Sequence, residues 1–248
     1  MRTVCVVTQS VYETDPRVRR KAEALAAAGY SVDVLALRGA GATRSFVLNG
    51  VNVQTLGLGK MRGSLARYAY EYAAFFLWVL VRVPVLMRRR RYVAIDVNTL
   101  PDFLIFAPVC ARWMGARLIL DMHEITPEFY MSKYGMTPTS RIVRALVFLE
   151  KISFDFADYV VTINEPIQEL LESRGLAPSK SIVVMHRLYF HEAKDGFYFA
   201  AEAKAILAVR PDLRSIEPRG LGEFISCGCV LENRTLLKHI YSLPGASS

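Results

Sequence analysis

Length, composition and charge place the chain among globular proteins. Its 248 residues suffice for one large domain or two small ones, and 52% hydrophobic with 22% charged residues excludes an intrinsically disordered chain. Eight basic residues fall between Lys60 and Arg91 against one acid, Glu71, so this stretch alone contributes +7 to a formal net charge of +8. Charge concentrated in this way excludes a basic face spread over the protein for a polynucleotide, and it favours an anionic membrane surface as a partner of residues 60–91.

The first elements are well delimited in the sequence. Residues 3–9 form a β-branched run typical of a buried parallel strand. Asp15 is placed as the N-cap and Pro16 as the first residue of a helix that Gly29 ends. A second strand is predicted at 30–39.

The following elements alternate between strand and helix. Asn49-Gly50 lies between two alternating runs in 45–57 and predicts a hairpin at an edge of the sheet. The pattern then predicts helices at about 65–87, 102–115, 137–157 and 165–175, and strands at 92–98, 116–122, 158–164 and 181–185. Such alternation indicates an α/β fold, a Rossmann-like doubly wound and mostly parallel sheet with helices on both faces.

The apolar segment 70–91 has two readings that the sequence leaves open. Arg82 and Pro84 interrupt it, and the uncharged run from Ala73 to Val81 is far shorter than the roughly 20 residues that span a bilayer. It is therefore predicted not to cross a membrane. Either it is a core helix with a basic end, or it is a helix that also lies on a membrane surface.

Polar side chains follow four of the predicted strands. Because the carboxyl ends of parallel strands meet at one edge of a sheet, and ligands of such sheets bind there, these side chains predict a binding site. They are Gln9-Ser10, Asn98-Thr99, Asp121 with His123-Glu124, and Asn164-Glu165. Asn98, Asp121 and Asn164 are accordingly candidate substrate-binding residues.

His123 is the most specific candidate at this edge. It lies in LILDMHEITPEFY (118–130) between Asp121 and Glu124, at a strand exit and just before Pro127, where a helix begins. An exposed loop histidine is the plain alternative. A titratable imidazole beside a helix N-terminus, which attracts anionic groups, favours a functional residue.

Two other motifs carry little weight. GLGKMRG (57–63) follows a hairpin and not a first strand, so it does not match a phosphate-binding glycine loop. Cys227, Cys229 and His239 fit no zinc pattern, and we expect no metal. Cys5 and Cys110 complete a cysteine set without a disulfide framework, and the N-terminal apolar run is too short for a signal peptide. These features lead us to expect a cytoplasmic protein, with a peripheral position at the inner membrane face as a further option.

Three separated segments resemble one known family. TDPRVRRKAEALAAAGYSVDVLAL (14–37), YVAIDVNTLPDFLIFAPVCARWMGARLILDMHEITPEFY (92–130) and ADYVVTINEPIQELLESRG (157–175) are similar, in order and spacing, to the N-terminal domain of family 4 glycosyltransferases. Those enzymes are retaining, are metal-independent and have the GT-B fold of two facing Rossmann-like domains. The resemblance covers about residues 1–185, and it implies an acceptor-side domain.

The resemblance also implies roles for individual residues. His123 would reach the donor sugar and stabilise the transition state, and Glu124 would orient His123 or bind substrate; both are candidate catalytic residues. Asp15 and Arg17 would contact polar or anionic substrate groups in the same crevice. A nucleotide sugar would be a substrate, so no cofactor is expected. One departure is the loop SVYETDPRV, which lacks the glycines that many family members have near the donor diphosphate.

Residues 186–248 differ in character from the preceding chain. They hold three of the four histidines and lack the strand and helix alternation. This atypical tail is compatible with a truncated remnant of a donor domain, with Glu223 as a relic of the donor site, or with unrelated sequence after a change of reading frame.

Two functions of the chain are compatible with these observations. The chain is either the acceptor-side part of a glycosyltransferase that acts on a lipid or polysaccharide acceptor, with a protein partner supplying the donor domain, or a non-catalytic, partner-dependent acceptor-binding module.

Overall fold

A computed structural model describes residues 2–58, 65–184, 189–200, 203–219, 235 and 237–242 of the chain. These residues belong to two compact units, Met1–Val183 and Val184–Ser248. The described residues do not include most of the segment 57–63, nor Glu223, Cys227 and Cys229.

The first unit contains an eight-stranded sheet. Its strands are β1 (Thr3–Val11), β2 (Ser31–Leu37), β3 (Ser45–Leu48), β4 (Val51–Leu56), β5 (Tyr92–Asn98), β6 (Arg117–Met122), β7 (Tyr159–Thr162) and β8 (Ser181–Val183). They lie in the order β3-β4-β2-β1-β5-β6-β7-β8. Every neighbouring pair is parallel except β3 and β4, which form the predicted hairpin at one edge. Asn49 and Gly50 supply the two positive φ angles, 50° and 80°, that its tight turn requires.

Helices cover both faces of this sheet. They are α1 (Pro16–Ala27), α2 (Leu65–Met87), α3 (Val109–Trp113), α4 (Thr126–Tyr134), α5 (Arg141–Phe156) and α6 (Glu165–Ser173). Alternate residues of a strand point to opposite faces. In β1, Cys5 and Val7 accordingly belong to one core cluster with α2, whereas Val6 belongs to a second cluster with α1. The predicted doubly wound α/β arrangement is confirmed, because both faces are buried under helices.

The predicted helix at 102–115 is wrong as a single element. The segment forms a 3-10 helix at Asp102–Phe106 and then the short α3. Pro108 has no backbone N–H to donate to the carbonyl of Leu104, so an α-helix cannot continue through it. The Leu104 carbonyl instead accepts from the Ala107 backbone N–H at 3.0 Å, which closes a 3-10 turn.

Helix α2 has a face that packs on the sheet. Phe75, Val79, Val83 and Met87 recur every fourth residue and are buried in the larger core cluster. The predicted bounds of this helix, 65–87, are those observed.

The second unit has a different architecture. Strands β9 (Tyr189–Ala193), β10 (Gly196–Ala200) and β11 (Tyr241–Ser242) form an antiparallel sheet in the order β10-β9-β11. A helix, α7 (Ala203–Val209), accompanies it, and Ile206, Leu213 and Ile240 form a small core.

Candidate functional site

A cavity of about 320 Å³ opens at the carboxyl ends of β1, β5 and β6. This volume lies at the lower end of the range typical of small-molecule sites, roughly 300–1,000 Å³. Five of the seven residues predicted from sequence line it: Asp15, Arg17, Asn98, His123 and Glu124. Thr8, Gln9 and Ser10 from the end of β1, and Glu71 and Tyr72 from α2, contribute further polar groups. The structure therefore brings the predicted exits of three strands together around one space.

A buried cluster of charges lies beneath this cavity. Lys21, on α1, places its Nζ 2.5 Å from Asp121 Oδ2 on β6 and 3.1 Å from Asn98 Oδ1 on β5. The same ammonium forms an ion pair with Asp96 on β5. Both aspartates and Asn98 are buried. One lysine thus links a helix to the ends of two neighbouring strands.

The contacts of His123 and Lys21 decide which carboxylate carries charge. Burial alone would raise the pKa of Asp121, but the hydrogen bond from His123 and the charge of Lys21 outweigh it and lower that pKa to about 2. Burial raises the pKa of Asp96 despite the same lysine, and the charge of Asp121 adds to this rise. Burial would lower the pKa of Lys21, yet the two carboxylates raise it above its usual value. Asp121 and Lys21 are consequently the firmly charged pair.

Asp121 fixes the orientation of His123. His123 Nε2 lies 3.1 Å from Asp121 Oδ2. An ionised carboxylate can only accept hydrogen bonds, so Nε2 carries the proton and donates it. Asp121 lies in β6 and His123 follows the last residue of that strand, so the turn that leaves the strand places the imidazole beside the carboxylate. The orienting contact therefore comes from Asp121, while Glu124 lies exposed at the cavity wall.

Asn98 ties the cluster to the first strand. Its Nδ2 donates to the Val7 carbonyl at 3.2 Å while its Oδ1 accepts from Lys21. The next residue, Thr99, donates its backbone N–H to the Asp121 carbonyl at 3.0 Å. Strands β1, β5 and β6 are thus held in register at the point where they reach the cavity.

The first turn of α1 forms another wall of the cavity. Asp15 Oδ1 accepts from the backbone N–H groups of Arg17 and Val18 at 3.2 and 3.3 Å, and Oδ2 accepts from Ser10 Oγ at 2.8 Å. Asp15 is therefore engaged as the helix N-cap that its sequence position predicts. Arg17, with 46% of its side chain exposed and 3.8 Å from Asp15, keeps its guanidinium at the cavity for an anionic group.

Asn164 occupies a different position. It is the N-cap of α6, and its Oδ1 accepts from the Ile167 backbone N–H at 2.9 Å. It lies at the exit of β7, as predicted, but it is not among the residues that line the cavity in the described part of the chain. A structural capping role accounts for its side chain.

A second buried network supports the helix that follows His123. Thr126, the first residue of α4, donates its hydroxyl to Asp102 Oδ1 at 2.9 Å. Burial raises the pKa of Asp102 to about 6, although the hydrogen bond from Thr126 opposes the rise. From α6, Arg174 pairs with Glu128 on α4 and donates to Glu150 Oε1 on α5 at 2.9 Å. Burial raises the pKa of Glu150 to about 7, with Arg174 opposing it. These contacts fix the start of α4 and so the turn that carries His123.

Sequence reasoning missed Lys21 and Asp96. Asp96 is the one charged residue in the strand sequence YVAIDVN, and a charge in a strand buried on both faces requires a partner. That signal was available. Lys21 carried none, because its position on α1 does not reveal which strand ends the helix will approach.

Comparisons with known proteins agree with this architecture. The sequence matches the model of the glycosyl transferase 4-like domain over residues 14–187. A sucrose-phosphate synthase from Thermosynechococcus elongatus is similar in structure with a TM-score of 0.55 at 16% identity, covering 75% of this chain and 48% of that one. Phytolacca americana UGT2, complexed with UDP-2fluoro-glucose and pterostilbene, gives 0.52 at 12% identity, covering 75% and 54%.

The comparisons define the fold and its extent. At these identities the likeness to solved structures shows the fold alone, and it confirms the predicted Rossmann-like half of a GT-B protein. The chain spans about half the length of the solved structures it matches. No curated protein matches the sequence significantly.

Replacing Lys21 by methionine tests the buried cluster. Lys21→Met leaves Asp96 and Asp121 buried without their ammonium, so the free energy of unfolding should fall by about 3–5 kcal/mol at pH 7.5. The loss should be smaller at pH 5: without the lysine the folded-state pKa values of the carboxylates rise above their unfolded values, and the resulting penalty grows as pH rises. Urea unfolding at both pH values measures this. The exposed neighbour Arg20, changed to methionine, is the control; equal stability of the two variants would contradict the cluster's role.

Replacing Asp102 by asparagine tests the network behind His123. A raised folded-state pKa means that the wild type loses stability from this group as pH rises from about 4 to above 6, and Asp102→Asn removes that loss while keeping an acceptor for Thr126. Relative to the wild type, the variant should gain about 2 kcal/mol between pH 4.5 and pH 7.5. Thr126→Val, which removes the donor that favours the charged carboxylate, should deepen the loss at high pH. A difference between wild type and Asp102→Asn that does not vary with pH would refute this assignment.

Proposed function

This chain belongs to the family of glycosyl transferase 4-like domains, and on that premise we propose that it is the acceptor-side domain of a retaining glycosyltransferase. In this proposal it takes part in transferring a sugar from a nucleotide-sugar donor to a lipid or polysaccharide acceptor. The observation that carries the proposal is His123, held by Asp121 at 3.1 Å and lining a cavity at the carboxyl edge of the sheet. Ligands of open α/β sheets bind at this edge.

The chemistry proposed for His123 follows from its orientation. With Nε2 donating to Asp121, the imidazole is fixed in one orientation before any substrate arrives. A fixed polar group near the anomeric carbon stabilises a transition state more than a ground state, because its contact strengthens as oxocarbenium character develops. Asp121 acts here as a positioning residue, kept ionised by the hydrogen bond from His123 and by the charge of Lys21. His123 is the proposed catalytic residue.

The remaining wall of the cavity suits a polar substrate. Arg17 offers an exposed guanidinium to an anionic group such as a diphosphate or an acidic acceptor. Ser10, Glu71 and Glu124 offer hydrogen-bonding groups to sugar hydroxyls. The nucleotide sugar enters as a substrate, and the proposal assigns the chain no cofactor.

The donor side of the reaction is proposed to come from further polypeptide. Support comes from the extent of the match, since the chain spans about half the length of the similar structures. One of these, UGT2, was solved with UDP-2fluoro-glucose and pterostilbene, a nucleotide sugar together with a second compound. We place the complete activity in the cytoplasm at the inner membrane face, with a protein that contributes a donor domain as partner.

A second candidate is a non-catalytic acceptor-binding module that acts only with a partner. The same partial extent favours it, because a half-site binds without turning over. The two candidates differ in one respect: a transferase requires His123 for chemistry, whereas a binding module requires only the shape and polarity of the cavity.

Single-turnover transfer and sugar binding by the purified chain test the proposal. With a panel of nucleotide sugars and with lipid and oligosaccharide acceptors, we expect little or no transfer by this chain alone, because the proposal assigns the donor side to further polypeptide. Ligand-observed NMR should detect acceptor binding that His123→Ala changes by less than about threefold, because the contact of His123 strengthens mainly in the transition state. The exposed His239, changed to asparagine, should have no effect.

The outcomes separate the candidates. Transfer by the chain alone that His123→Ala abolishes would establish a self-sufficient transferase. Acceptor binding without any transfer, even when a donor domain is added, would favour the binding module. Failure to bind any sugar or nucleotide sugar would overturn both.

A further inference from the structure

Helix α2 carries an apolar stripe on its outer surface. Tyr70, Leu77, Val81 and Val85 are 64%, 58%, 65% and 40% exposed. Their spacings of seven, four and four residues place them on one side of the helix, away from the face that packs on the sheet. We call these four residues the α2 stripe. Single exposed apolar residues are common on protein surfaces, but a continuous row along one helix marks an interaction surface.

The composition of α2 is apolar enough for contact with a membrane. Among the described residues, Tyr70–Met87 is the window that is long and apolar enough to cross a bilayer on length and composition alone, with a mean hydropathy of 1.5. The buried face of α2 forms part of the domain core, so the helix cannot leave the sheet without unfolding the domain. An apolar helix that is held by its own core can meet a bilayer only along its outer side.

A basic cluster continues directly from the stripe. Arg88, Arg89 and Arg91 follow the last turn of α2 and are exposed. Arg90 lies among them but is engaged inward, with its Nη1 2.5 Å from Asp33. No acidic residue occurs between Glu71 and Asp96 in the sequence. The three outward arginines therefore present positive charge at one end of an apolar row, the arrangement that anionic lipid headgroups complement.

The same helix reaches the cavity. Glu71 and Tyr72, next to the first residue of the α2 stripe, line the candidate site. From Tyr70 to Val85 the stripe extends roughly 22 Å along the helix, at 1.5 Å per residue. A bilayer that contacts this row would lie beside the opening of the cavity, where a headgroup carried by a lipid can enter.

We propose that the α2 stripe and the arginines 88, 89 and 91 dock this domain on an anionic phospholipid bilayer. The acceptor is then a membrane-held lipid, presented to the cavity past Tyr70 and Tyr72; this part rests on the proposed function. Charge complementarity selects the bilayer as the occupant of this surface. An apolar row with a basic end matches the acyl and headgroup regions of an anionic bilayer together.

Flotation of the full chain with vesicles tests the docking. Vesicles of phosphatidylcholine with about a third phosphatidylserine should bind the chain, and vesicles of phosphatidylcholine alone should bind it at least tenfold more weakly. Leu77→Asp with Val81→Asp should lower binding to the anionic vesicles by tenfold or more. Changing the three arginines to glutamine should remove the part of the binding that salt weakens. Ile142→Asp with Phe148→Asp, two exposed apolar positions on α5, should bind like the wild type.

The outcomes are decisive for the docking surface. Absence of binding to anionic vesicles would overturn the proposal, as would binding that the α2 substitutions leave unchanged. Self-association of the wild type that Leu77→Asp with Val81→Asp abolishes, without vesicle binding, would assign the stripe to a second copy. Thermal unfolding of each variant confirms that it is folded.

A comparison of two forms of the acceptor tests whether the acceptor is a membrane-held lipid. With the donor side provided, transfer to an acceptor embedded in vesicles should exceed transfer to the same headgroup in solution, and the α2 substitutions should remove only this advantage. Equal transfer to both forms would overturn the assignment of a membrane-held lipid as the acceptor. Vesicle binding without any transfer would leave the docking intact and count against the proposed function, so the two failures are distinguishable.

Discussion

Two aspartates buried at the ends of neighbouring parallel strands require a cation within contact distance, and Lys21 supplies it. Without an ammonium, each buried carboxylate would either be protonated or carry a desolvation penalty of several kcal/mol. The lysine comes from α1, so the helix that begins at the cavity also neutralises its floor. Lys21 therefore joins α1 to β5 and to β6, the strand that His123 follows. The orientation of the His123 imidazole thus depends on the contacts that hold the carboxyl ends of these strands together.

The surroundings of His123 are fixed from two sides. In front, Asp121 accepts a hydrogen bond from Nε2. Behind, Asp102 and Arg174 hold α4 through Thr126 and Glu128, so the turn between β6 and α4 has little freedom. Helix α2 lines the cavity with Glu71 and Tyr72 and exposes an apolar row on its outer surface. A site built in this way is preorganised, which is how a protein group stabilises charge that develops in a transition state.

Local signals in the sequence predicted most of the fold. The Asp15-Pro16 helix start and the Asn49-Gly50 turn are encoded by adjacent residues, and both were found where predicted. Pro108 is an equally local signal for the end of the 3-10 helix before α3, but the apolar spacing of residues 102–115 favours one continuous helix. His123 was predicted from its position at a strand exit. The resemblance implies that Glu124 orients His123 or binds substrate; the orienting hydrogen bond comes from Asp121, and the conformation of the turn after β6 brings the two together.

The remaining features depend on contacts between distant parts of the chain. Lys21 and Asp121 are 100 residues apart, and Arg174 meets Glu128 across 46 residues. Helix packing creates both pairs, and no pattern of neighbouring residues encodes it. The exposed face of α2 is similar in this respect. Its sequence gives an apolar helix, but only the packing of Phe75, Val79 and Val83 on the sheet decides which side faces outward.

The central claim is that an ionised Asp121, maintained by Lys21, fixes the proton of His123 on Nε2. Nitrogen-15 NMR of the histidine imidazoles reports directly which ring nitrogen is protonated, and a His123→Gln spectrum identifies the signals. At mildly alkaline pH the account predicts a protonated Nε2 and an unprotonated Nδ1 for His123, with this distinction lost in Asp121→Ala. A proton on Nδ1, or two nitrogens that share the proton in rapid exchange in the wild type, would contradict it.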